Sequence, residues 1–119
     1  MKAIYYQRGE TLDYIPEAAM EAGAVVPLGT RIGIADAPTP AGELGHIHVT
    51  GVFILDKAAE EIKMGAAVYY DSEADAITTT ASTEVTEGEA KKTVGNVPAG
   101  YAVADAAAAD ATVLVKLLG

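Results

Sequence analysis

Apolar residues recur at every second position through much of this chain. In Arg31-Ile32-Gly33-Ile34 the isoleucines fall two apart, and Ile47-Val49-Gly51-Phe53-Leu55 holds the same period through a glycine. Side chains two apart share one face of a strand and would lie on opposite sides of a helix. The pattern therefore predicts strands over 30–35 and 46–56, joined by the Pro/Gly-rich link Asp36-Ala-Pro-Thr-Pro-Ala-Gly-Glu43. An N-terminal pair, 3–7 and 11–15, carries β-formers around Arg8-Gly9-Glu10 and reads as a tight reversal ended by Pro16. Residues 17–22 form a loop with helical tendency, stopped by Gly23.

The best helix signal lies at 56–65, where Asp56 can cap, the acids come early, Lys63 comes late and Gly65 can terminate. Val68-Tyr69-Tyr70 and Ile77-Thr78-Thr79-Thr80 flank a turn-rich Asp71-Ser-Glu-Ala-Asp-Ala76 and read as a hairpin. Residues 81–92 are polar and low in complexity, which predicts a loop. The last pair is expected over 100–104 and 112–118, with Val113, Val115 and Leu117 inward and Leu114 and Leu118 outward. The sum is a mainly β fold: a small single-domain barrel or sandwich of seven or eight short strands with one or two short helices.

Composition changes this picture in one respect. Half of the 119 residues are hydrophobic, but many are alanine, with no Trp, one Phe and six Tyr. An alanine-diluted core gains little per side chain, and there is no cysteine to staple it. Association is the remaining common device, so a homo-oligomer is expected. The outward residues of the strands then become candidate oligomer or partner contacts: Val52 and Ile54, opposite Phe53 and Leu55; Leu114; and one ring from each of the doublets Tyr5-Tyr6 and Tyr69-Tyr70.

Seventeen acidic against eight basic residues give a net charge of −9, which disfavours nucleic-acid binding by phosphate neutralisation. Lys91-Lys92, the only basic doublet, sits beside Glu84, Glu87 and Glu89 and reads as solvated surface. The apolar start is too short for a signal-peptide core and no run is long enough to span a membrane, so the expected compartment is the cytosol.

The sequence offers little catalysis. His46 and His48 share a strand face and could ligate a metal, but a third ligand is missing beyond the uncertain Glu43. Solvent-facing histidines are the simpler reading. Asp71, Glu73 and Asp75 begin like a calcium loop, yet Ala76 replaces the turn glycine and Ser82 the closing Glu, so a hairpin turn is expected. No dinucleotide, P-loop or Gly-x-Ser-x-Gly pattern occurs. The expectation is no enzyme, no cofactor and no metal.

The order of short motifs is more telling. Gly9-Glu-Thr-Leu12, Val25-Val-Pro-Leu-Gly29, Ile32-Gly-Ile-Ala35, Gly51-Val-Phe-Ile-Leu-Asp-Lys57, Gly65-Ala-Ala-Val-Tyr-Tyr-Asp71, Ile77-Thr-Thr-Thr80, Gly100-Tyr-Ala-Val103 and Thr112-Val-Leu-Val-Lys-Leu117 follow one another along nearly the whole chain. In this order they resemble the capsid cement, or decoration, proteins of tailed phages and prophages. Two departures are the long segment before Gly23 and an apparent insertion over 81–99. The resemblance implies a non-enzymatic protein on the virion surface, made in the bacterial host cytoplasm, whose partner is the major capsid protein. It would lock expanded shells against internal DNA pressure, and a trimer is favoured by analogy with other decoration proteins. In that frame the outward apolar residues build the oligomer, and residues 1–6 form an arm that pairs with capsid strands. The rival readings are a metal- or small-molecule-binding β barrel using His46 and His48, and another phage head or tail component.

Overall fold

The computed structural model describes the backbone of residues 1–87 and 90–118 and the side chains of 1–82 and 95–118. Eleven strands run in chain order: β1 (Thr11–Tyr14), β2 (Val25–Pro27), β3 (Ile32–Ala35), β4 (Gly45–His48), β5 (Val52–Asp56), β6 (Ala67–Asp71), β7 (Ala76–Thr78), β8 (Ser82–Glu87), β9 (Ala90–Gly95), β10 (Val97–Ala102) and β11 (Thr112–Leu117). They form a four-stranded sheet β1-β4-β3-β2, a five-stranded sheet β5-β11-β10-β6-β7 and a separate hairpin β8-β9. The five-stranded sheet curls until β5 and β7 meet at one parallel bridge, Lys57 to Ile77, but it does not close into a barrel.

The alternation in the sequence sets which side chains go inward. Val113, Val115 and Leu117 of β11 are buried, while Leu114 and Leu118 are exposed, as their parity predicts. Ile32 and Ile34 join them in the larger core with Leu55, Ile62, Val68, Tyr70 and Ile77, so the two sheets pack across this cluster. All four residues of β3 are buried, because Ala35 on its other face meets a second cluster with Met20, Val26, Ile47 and Val49. β3 thus serves two cores at once, and a strand buried on both faces reads as a continuous apolar run.

Four expectations are corrected. The run 46–56 is two strands in different sheets: Gly51, at φ +112°, takes a backbone conformation that L side chains rarely adopt and turns the chain after Val49. Residues 3–7 form no strand; β1 pairs instead with β4, Leu12 opposite Ile47 and Tyr14 opposite Gly45. The apolar and aromatic β-formers there have no sheet partner among the described residues.

The helix predicted over 56–65 is absent, and no helix occurs among the described residues. Ile62 explains this. It is wholly buried in the larger core and exchanges backbone hydrogen bonds with Ala106, 2.9 and 2.7 Å, an anchorage stronger than a marginal two-turn helix. Finally, the loop expected over 81–92 is corrected among the described residues: β8 and β9 pair in register from Ser82–Gly95 to Glu87–Ala90. Asn96 braces the base of this hairpin, its backbone N–H on Ala81 O and its side-chain amide on Thr80 O. The side chains of Lys91 and Lys92 lie outside the described residues.

Where the helix was expected, a polar knot closes the end of the five-stranded sheet. Lys57 is buried and donates to Ala58 O at 3.0 Å. Glu60 accepts from the Thr79 N–H at 2.6 Å, the Thr79 hydroxyl at 2.9 Å and the Thr78 hydroxyl at 3.1 Å. Partial burial works to raise the Glu60 pKa, but these bonds and the Lys57 charge outweigh it and hold the carboxyl below its ordinary value of 4.5. A depressed folded pKa contributes stability that is present above the unfolded value and lost as pH falls through the folded one. Glu60→Gln should therefore lower stability near neutral pH by about 1 kcal/mol and flatten the acid limb below pH 4.5. Thermal unfolding of both proteins from pH 7 to pH 3 checks this; parallel curves would remove Glu60 from the account.

Candidate functional site

The outer face of the five-stranded sheet carries the largest set of predicted contact residues. Strand pairing brings Ile54 opposite Leu114 and Val52 opposite Lys116. The next strand continues both rows, since Tyr101 faces Lys116 and the Val103 N–H donates to Leu114 O. Ile54 is 70% exposed, Val52 52% and Leu114 39%, and Tyr101 is also exposed. The Lys116 ammonium lies 5.9 Å from the centre of the Tyr101 ring, inside cation–π range. The result is an apolar band across three strands with one cation in it. Large side chains on an exposed sheet face lose burial energy in the isolated chain, and such bands mark contact surfaces.

The tyrosine doublets separate as parity requires. Tyr70 points into the core at 7% exposure and donates its hydroxyl to Asp75 at 2.6 Å. Burial, then this bond, push its pKa up to about 12. Tyr70 is a structural residue with no surface to offer. Tyr69 is half-buried on the outward side, opposite Pro98. Tyr5 and Tyr6 are both exposed, at 82% and 88%, beside an equally exposed Ile4. Their segment, 1–9, carries no strand and precedes the edge strand β1.

His46 and His48 lie on one face of β4, as their spacing predicts, but each meets a carboxylate from a neighbouring strand or its extension. His46 Nδ1 is 3.1 Å from Asp13 Oδ1, and His48 Nε2 is 2.8 Å from Asp36 Oδ1. Among the described residues no three His, Cys, Asp or Glu side chains gather as a metal site would require. The carboxylates at 71–75 serve the turn: Asp71 Oδ1 accepts the N–H groups of Glu73 and Ala74, and Asp75 takes the Tyr70 hydroxyl. Both features are local ties within the fold.

A cleft of about 190 Å³ opens between the sheets, lined by Val25 of β2, Ile54, Leu55 and Asp56 of β5, and Tyr70, Asp75 and Ile77. It holds neither a nucleophile–base pair nor a cluster of metal-ligating groups. The described residues present three surfaces: an apolar band, an exposed aromatic arm and an acidic cleft. Residues 6–117 match the family model of the phage cement proteins. The chain belongs to the phage cement protein family. No curated protein and no solved structure matches it.

Membership gives this cement-family chain a structural, capsid-associated role and a place in the virion capsid, and it speaks for a non-enzymatic protein. The rows of the apolar band were legible in β5 and β11. Tyr101, Val103 and Lys116 were not singled out, although Ala99 and Ala102, inward on β10, flank Tyr101. Asp13 and Asp36 had no sequence signal as histidine partners, because only strand order places them there. The family reading predicts that His46→Ala/His48→Ala leaves binding to phage heads within about twofold of the parent protein; zinc-dependent binding lost in this variant would revive the metal rival.

Proposed function

We propose that this protein binds the outer surface of the expanded capsid of a tailed phage and ties neighbouring major capsid subunits together against the pressure of packaged DNA. The observation that carries the reading is the apolar band Val52, Ile54, Tyr101, Leu114 on a rigid sheet, in a chain that belongs to the cement family. The band supplies adhesive area, and Lys116 supplies one charge to orient it. The strongly acidic chain repels packaged nucleic acid, which suits an exterior position.

An isolated band of this size gives weak binding, because association must first repay lost translational and rotational freedom. Several bands in one oligomer share that cost and gain avidity. A homo-oligomer made in the host cytoplasm, with three copies on a local threefold axis of the shell, satisfies this requirement. DNA-filled heads lacking their own decoration, heated with and without the purified protein, test the reading. Retention of DNA to a higher temperature in its presence is expected; identical release curves at saturating protein would refute it.

A further inference from the structure

The sequence divides its charge unevenly. Residues 1–9 hold Lys2 and Arg8 and no acid, whereas residues 10–119 hold all 17 acidic side chains against six basic ones. The same nine residues contain Ile4, Tyr5 and Tyr6, three large apolar side chains standing in solvent without a strand partner. Among the described residues Arg8 pairs with Glu10 at 3.9 Å, an ion pair between two exposed groups that is worth little. The segment is a basic aromatic peptide attached to an acidic body.

That body contains a receptor of the opposite character. The cleft between the sheets has an apolar floor of Val25, Leu55 and Ile77, and Asp56 and Asp75 as its charged residues. Among the described residues, none of its lining is basic. A cavity of roughly 150 Å³ accommodates a benzene ring, so about 190 Å³ accommodates one tyrosine ring. From the size, polarity and charge of both elements we infer that the arm of one copy docks in this cleft of a second copy, with Tyr5 or Tyr6 seated in it and Lys2 and Arg8 drawn to Asp56 and Asp75. This rests on the proposed oligomer and names the contact that builds it.

Strand order specifies the geometry. The arm leaves from β1, at one edge of the four-stranded sheet, and the cleft borders β2, at the opposite edge. To reach its own cleft an arm would have to cross the face of its own sheet that carries Ile34 and Val25, where the cleft opens. There Asp13, His46 and His48 offer no apolar track for its rings. Donor and acceptor on opposite edges make a contact between two different surfaces, which closes into a ring when the rotation permits. The arm and the apolar band then exchange the roles that the family resemblance implied, the arm joining copies and the band meeting the shell, with Ile54 bordering both surfaces.

Full-length variants test this by sedimentation velocity at low salt. The parent protein is expected as a cyclic oligomer that weakens as NaCl rises. Tyr5→Ser/Tyr6→Ser and Asp56→Lys should each raise the dissociation constant at least tenfold. Lys2→Glu/Arg8→Glu should do the same, and combining it with Asp56→Lys should restore assembly to within about threefold of the parent. Mixing Tyr5→Ser/Tyr6→Ser, which keeps its cleft, with Asp56→Lys, which keeps its arm, should give one-to-one heterodimers. The inference is overturned if the parent protein is a monomer whose arm is shielded from trypsin by its own body, or if the arm variants assemble as the parent does. Head binding by those same assembled variants would leave the capsid reading standing, whereas loss of head binding by the parent protein would remove that reading without touching the arm.

Discussion

Gly100→Ala is expected to cost about 4 kcal/mol or more, enough to remove a large part of the 5–15 kcal/mol that typically holds a domain folded. A Cβ at this position would stand 1.8 Å from Lys116 O and 2.9 Å from the carbon of that carbonyl, both backbone atoms of the neighbouring strand. The backbone is also at φ +150°, where the register between β10 and β6 shifts after Pro98. β10 lies in the middle of the five-stranded sheet, so relief of the clash displaces β11, β6 or both. Thermal unfolding followed by circular dichroism should show the midpoint lowered by about 15 °C or a loss of cooperative unfolding. Gly95→Ala is the control, with open space at its Cβ, and should change stability by less than about 0.5 kcal/mol. Equal behaviour of the two variants would contradict the close approach of β10 to β11.

Ile54→Asp is expected to abolish most head binding while leaving the fold intact. Ile54 is the most exposed member of the band and sits beside Leu114 on the neighbouring strand. In the free protein the new carboxylate is hydrated, so unfolding should move by less than about 1 kcal/mol. In the bound state it would be buried against an apolar partner, with Lys116 opposite Val52 rather than directly beside the new carboxylate, a desolvation cost of several kcal/mol. Each 1.4 kcal/mol is tenfold in affinity, and repetition over the copies of an oligomer multiplies the loss. Titration against expanded heads should show binding weakened at least 100-fold. Glu43→Ala, an exposed change away from the band, should bind as the parent does. Undiminished binding by folded Ile54→Asp would move the contact surface elsewhere.

The parts of the fold that sequence exposed are those governed by period two. β11, the β6-β7 hairpin and the inward set Ile32, Ile34, Val113, Val115 and Leu117 could be read because each strand has one face in the larger core. The failures share a cause, which is that tertiary pairing overrode a local signal. Asp56-Lys-Ala-Ala-Glu-Glu-Ile-Lys-Met carries a helix cap and helix-favouring residues, yet Ile62 is more stabilising in the core against Ala106 than on a helix of two turns. Residues 3–7 carry β-forming side chains but no strand partner among the described residues. Residues 81–92 look like a loop because their sequence is polar and threonine-bearing, whereas β8 and β9 pair with each other in a two-stranded sheet of their own.

The candidate contacts divide in the same way. Val52, Ile54 and Leu114 were recognisable as outward apolar positions, and strand order assembles them into one band. Tyr70 could not be told from Tyr69 until the sheet fixed which ring turns inward. The pairing of His46 with Asp13 and His48 with Asp36 spans separate strands and is visible only in three dimensions. The cleft is also tertiary, since its walls come from β2, β5 and the β6-β7 hairpin.

The most direct test mixes the purified protein with undecorated expanded heads and, separately, with unexpanded shells, followed by sedimentation and electron microscopy. Saturable attachment to the outside of expanded heads, with regular density over the shell lattice, is the predicted result. A protein that stays in the supernatant at every ratio, or that binds only disassembled capsid subunits, would contradict the central claim that this chain works as adhesive surface on a finished shell.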